Sequence, residues 1–67
     1  MDDKALSPSE TLRILEEIRV GDRSLSRSCR NPQIVEACRL FLRQSQDAPG
    51  VLRSVAYAIV DGAESEK

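Results

Sequence analysis

The chain has no histidine and no tryptophan, one phenylalanine, one tyrosine, two cysteines and three glycines among 67 residues. Each scarcity closes off a class of chemistry. Without histidine, the commonest general base is missing from every triad-like arrangement, so an enzyme is not expected. Cys29 and Cys38 alone fall short of the tetrahedral ligand set of a structural zinc site, so no metal is expected. Gly21, Gly50 and Gly62 lie far apart and each reads as a cap or turn. No glycine-rich phosphate loop is visible, and no cofactor is expected. No apolar run approaches the ~20 residues that cross a bilayer, so no membrane span is expected. Nothing near Met1 resembles a signal peptide, which makes cytoplasmic the expected location and disulfides an unexpected source of stability.

What remains is a small, charged, alanine- and leucine-containing chain with helical periodicity. At 67 residues it forms one domain, 1–67, with residues 1–6 and 63–67 expected as frayed tails. A chain of this length buries only roughly 60% of its unfolded surface, so its stability as a monomer is expected to be marginal.

The strongest stretch is Asn31 to Asp47, NPQIVEACRLFLRQSQD. Asn31 is a good N-cap, and Pro32 at the first helical position gives up only an amide that has no intrahelical partner. At about 100° per residue, Ile34, Val35, Ala37, Cys38, Leu40, Phe41 and Leu42 cover most of the circumference. Glu36, Arg39 and Arg43 are left as one narrow polar stripe. A helix so apolar needs cover on two sides, and Phe41, its largest side chain, is placed in the main core.

Before it, Ser7-Pro8-Ser9-Glu10 spells a capping box, and the spacing predicts a helix from about Pro8 to Val20 ended by Gly21. Leu12, Ile14, Leu15 and Ile18 form its inward stripe. The segment Asp22 to Arg30, DRSLSRSCR, reads either as a short helix capped by Ser24, with Leu25 and Cys29 facing the core, or as an irregular loop. After the central helix, Asp47-Ala48-Pro49 signals another start. Val51, Val55 and Ile59, with Leu52, Ala56 and Val60, predict a last helix ending at Gly62, although Val55 to Val60 also fits a short strand. The fold class is therefore all-α: a small three-helix bundle with an extra helical turn at 24–29 as an option, completed by self-association or a partner.

Charge is unevenly spread. From Arg19 to Arg53 seven arginines face three acids, a balance of +4, while the rest of the chain sums to −5. All the central cations are arginines, whose planar fork pairs bidentately with carboxylate or phosphate. Arg23, Arg27, Arg30, Arg39 and Arg43 are the candidate partner-binding residues, because Asp22 and Glu36 are the only acids near them in sequence. The expected function is a non-enzymatic helical adaptor or regulator that binds a protein partner, or a second copy, through this arginine patch or an apolar helix face.

The alternative is a small nucleic-acid regulator in which residues 23–43 form a helix-turn-helix with Gln33, Glu36 and Arg39 near the base edges. The turn between Cys29 and Pro32 is tight for that motif, and the acidic ends would repel phosphate. Among single residues, Cys29 sits beside arginines that favour a reactive thiolate, yet its spacing from Leu25 fits a small core residue. Cys38 reads as packing. Ser26 follows Arg23 by three residues, a spacing that attracts arginine-directed kinases.

Overall fold

The computed structural model describes residues 6–65 and holds four helices: α1 (Pro8–Arg19), α2 (Leu25–Cys29), α3 (Pro32–Gln44) and α4 (Gly50–Ser65). Of the tails expected at 1–6 and 63–67, residues 1–5 and 66–67 lie outside the described residues, while Leu6 packs against the core and residues 63–65 belong to α4. Each helix start follows from its sequence. At α1 the Ser7 Oγ accepts from the Glu10 amide at 3.3 Å, while the Glu10 Oε1 accepts from the Ser7 amide at 3.1 Å, which completes the capping box. At α3 the Asn31 Oδ1 accepts from the Gln33 and Ile34 amides, with Pro32 at the first position. Between α1 and α2 the chain turns at Gly21, whose φ of +91° lies in the region that favours glycine.

α3 and α4 run through the middle. α4 touches all three other helices, and α3 packs on α1, α2 and α4. Leu15 of α1, Ile34, Val35, Cys38 and Phe41 of α3, and Leu52, Ala56 and Ile59 of α4 form the core. Phe41 is buried, as its place in the apolar arc predicts. The cover that α3 requires thus comes from within the chain, and the option of an extra helical turn at 24–29 is realised as α2.

Three sequence expectations shift. In α1 the buried face is Thr11 and Leu15, flanked by Ile14 and Ile18, whereas Leu12 is 39% exposed. Thr11 is tolerated inside because its Oγ1 donates to the Ser7 carbonyl at 3.0 Å. In α2, Leu25 points outward and Ser28 is the buried residue, its hydroxyl donating to the Ser24 carbonyl at 2.9 Å. Both hydroxyls satisfy themselves on the preceding turn, so burying them costs little.

The third shift concerns α4. It does not stop at Gly62 but continues to Ser65, and Ala63 packs against the core. Gly62 is needed for close approach: a Cβ there would fall 2.6 Å from the Cys29 Sγ. Residues Val55 to Val60 are helical, as the spacing predicts, and not the alternative strand. Val55 and Val60 flank Leu52, Ala56 and Ile59 on a single inward stripe, a placement that the alternating faces of a strand could not give.

Candidate functional site

The five arginines selected from the sequence fall into three places. Arg23 lies in the turn after Gly21, where the Asp22 and Arg23 amides both donate to the Glu17 carbonyl, at 2.8 and 3.2 Å. That turn swings the Arg23 side chain back onto α1, and its Nε donates to the Glu17 Oε1 at 3.0 Å. Arg27 sits in the middle of α2, its amide donating to the Ser24 Oγ at 3.2 Å and its guanidinium left in solvent. Arg30 is the C-cap of α2. Arg39 and Arg43 lie along the exposed stripe of α3, and Arg39 reaches across to α4, where its Nη2 stands 3.4 Å from the Glu64 Oε2.

The acids that meet these arginines are therefore not the ones adjacent in sequence. Neither Asp22 nor Glu36 forms an ion pair among the described residues; Glu17 and Glu64 do. The Glu17 pair was legible in principle, since a glycine turn four residues later reverses the chain. The Glu64 pair depends on how α4 packs on α3 and carries no local signal. Arg27, Arg30 and Arg43 have no ion-pair partner among the described residues.

Arg23 and Arg27 share an open recess of about 380 Å3 where the end of α1, Arg27 and Ser28 of α2, and the start of α3 converge. Its walls carry Glu17 and Asp22 opposite Arg23 and Arg27, with Ser24, Ser28 and Asn31 as hydroxyl and amide groups and Ile34 as an apolar wall. Its charge is balanced, so it offers directional pairing and exerts no bulk field on anions. A second cleft of about 250 Å3 lies between α1 and the C-terminal half of α3, lined by Leu6, Pro8, Ala37, Leu40 and Phe41. Arg30 and the Arg39–Arg43 stripe border neither hollow.

Helices α2 and α3 are joined by only Arg30 and Asn31. The connection is shorter than the ~3–4-residue turn of a DNA-binding helix-turn-helix, and α2 is only five residues long. Gln33, Glu36, Arg39 and Arg43 are exposed on α3, with the Glu36 carboxylate in the middle of the stripe.

The thiols differ. Cys38 is buried, and burial pushes its thiol up to about 11, with the neighbouring Cys29 adding to the shift. It is held as a neutral packing group. Cys29 is half-buried, its Sγ against Gly62 and 4.0 Å from the Ala58 carbonyl. Among the described residues no group of three or more His, Cys, Asp and Glu could hold a metal ion, and no helix is long and apolar enough to cross a membrane.

Comparison with protein-family models, with curated proteins and with solved structures finds no match.

Proposed function

We propose that this chain is a non-enzymatic helical adaptor that binds an acidic surface of a protein partner through the arginines of α2 and of the outer stripe of α3. The observation that carries the reading is the division among the five candidates. Glu17 and Glu64 hold Arg23 and Arg39, while Arg27, Arg30 and Arg43 stand exposed with no ion-pair partner among the described residues. The free guanidinium groups of this arginine edge can take carboxylates in the bidentate geometry that lysine cannot match. A protein surface suits this edge better than a nucleic acid does. The two-residue connection between α2 and α3 and the five-residue α2 fall short of a helix-turn-helix that could seat α3 in a groove.

The test is charge reversal of Arg27 and Arg30 together, Arg27→Glu with Arg30→Glu, read by circular dichroism and by capture from native lysate at low and high salt. Native dichroism with reduced capture and a weaker salt dependence supports the reading. Unchanged capture removes the arginines from the interface. Co-purified nucleic acid that is lost as salt rises replaces the reading with the nucleic-acid one. Sedimentation of the captured complex tells a second copy of this chain from a different protein.

A further inference from the structure

We propose that Ser26 is a phospho-acceptor for an arginine-directed serine kinase. The inference concerns an exposed hydroxyl that makes no backbone hydrogen bond among the described residues, and it stands independently of whether the arginine edge binds a partner.

Three serines lie in or at α2, and the structure separates them. Ser28 is buried at 2% exposure, and its hydroxyl is committed to the Ser24 carbonyl. Ser24 is the N-cap, its Oγ accepting from the Arg27 amide, so modifying it would break the cap. Ser26 is exposed, and the one contact of its Oγ is the Ser24 Oγ at 3.3 Å. Of the three it is the hydroxyl least committed to the helix, since neither its burial nor a backbone hydrogen bond holds it.

The basic determinants point to the same atom. Of the chain's eight serines, only Ser26 has an arginine three residues before it, Arg23, and it is followed directly by Arg27. Ser7 has Lys4 at that distance, but Pro8 follows it and its Oγ is occupied by the Glu10 amide. Kinase clefts take their substrates extended, which demands local opening. A five-residue helix is too short to hold itself together and sits next to the Gly21 turn, so α2 can meet that demand.

In the reaction the Ser26 Oγ attacks the γ-phosphorus of ATP. An O–P bond forms to Ser26, the bond to the β,γ-bridging oxygen breaks, ADP leaves, and the hydroxyl proton passes to the kinase's base. The product carries a charge of about −1.5 to −2 on α2, next in sequence to Arg27 and three residues from Arg23.

The experiment uses the full chain, a purified arginine-directed serine kinase and ATP, with the site mapped by mass spectrometry. The expected result is one phosphate per chain on Ser26, absent in Ser26→Ala. Arg23→Gln should lower the initial rate by about tenfold, the worth of one charge-assisted pair to the kinase. Because Arg23 faces solvent and Glu17, dichroism of that variant should stay native. No incorporation, incorporation on Ser24 or Ser28 in place of Ser26, or an unchanged rate for Arg23→Gln would each overturn the assignment.

Discussion

Replacing Gly62 by alanine sets two effects of similar size against each other, and the structure decides the sign. Gly62 lies inside α4, where alanine is favoured over glycine by about 1 kcal/mol. Yet a Cβ at Gly62 would stand 2.6 Å from the Cys29 Sγ, when non-bonded heavy atoms settle at about 3.5–4 Å. An overlap of roughly 1 Å forces either the Sγ to rotate away or α2 to lift from α4, at a typical overpacking cost of about 1–3 kcal/mol. Gly62→Ala is expected to lose about 1 kcal/mol net, a fall of roughly 4–8 °C in Tm for a domain of this size.

Removing the sulfur reverses the sign. The same Cβ would be 3.6 Å from the Cys29 Cβ, an ordinary contact, so in a Cys29→Ala background the alanine at 62 keeps its helical advantage and stabilises by about 1 kcal/mol. Urea unfolding of the four proteins in this double-mutant cycle should therefore show a coupling of about 2 kcal/mol. If Gly62→Ala stabilises the parent chain, or if the coupling falls below about 0.5 kcal/mol, the close approach of α2 to α4 is not what holds glycine at this position.

Two further changes test the core. Phe41→Ala should cost about 3 kcal/mol by thermal or urea unfolding, the lower end for a buried phenylalanine, because the cleft beside it already opens to solvent. Cys38 should resist thiol reagents in the native protein, while the half-buried Cys29 is labelled first. The Cys38 thiol has an ordinary value of 9.0 and is raised to about 11 in the fold, so its contribution to stability is intact below pH 9.0 and declines as pH climbs toward 11. A Cys38→Ala variant should lack that part of the alkaline loss.

Helix starts were legible because caps are local chemistry: Ser7 with Glu10, Asn31 with Pro32, and Ser24 each act within a few residues. The burial of Phe41 and Cys38 followed from periodicity in the same way. What escaped depended on neighbours distant in sequence. Leu12 and Leu25 are apolar and correctly spaced, yet the faces of α1 and α2 that meet other helices carry Thr11 and Ser28, whose hydroxyls cap themselves on the preceding turn. Gly62 looked like a terminator because glycine usually is one, and only the position of Cys29 shows it to be a contact. The ion pairs of the candidate site follow the same division. Arg23 finds Glu17 through a turn of a few residues, whereas Arg39 finds Glu64 through the packing of α4 on α3.

The weakest element of the fold carries two of its three unpaired candidate arginines. α2 has five residues, against the ~12–15 at which an isolated helix is even marginal, so its order derives from docking on α3 and α4. That docking rests on Ser28 and half-buried Cys29, with Leu25 turned outward, while α3 and α4 anchor through the main core. In native-state hydrogen exchange the Ser28 amide, bonded to the Ser24 carbonyl, should open locally at least about 2 kcal/mol below the amides of α3 and α4. Gly62→Ala should speed exchange in α2 before it affects the rest, because the overlap falls where Cys29 of α2 packs on α4. If the Ser28 amide exchanges only with the global transition, then α2 belongs to the cooperative core, and the easy opening that Ser26 needs is lost.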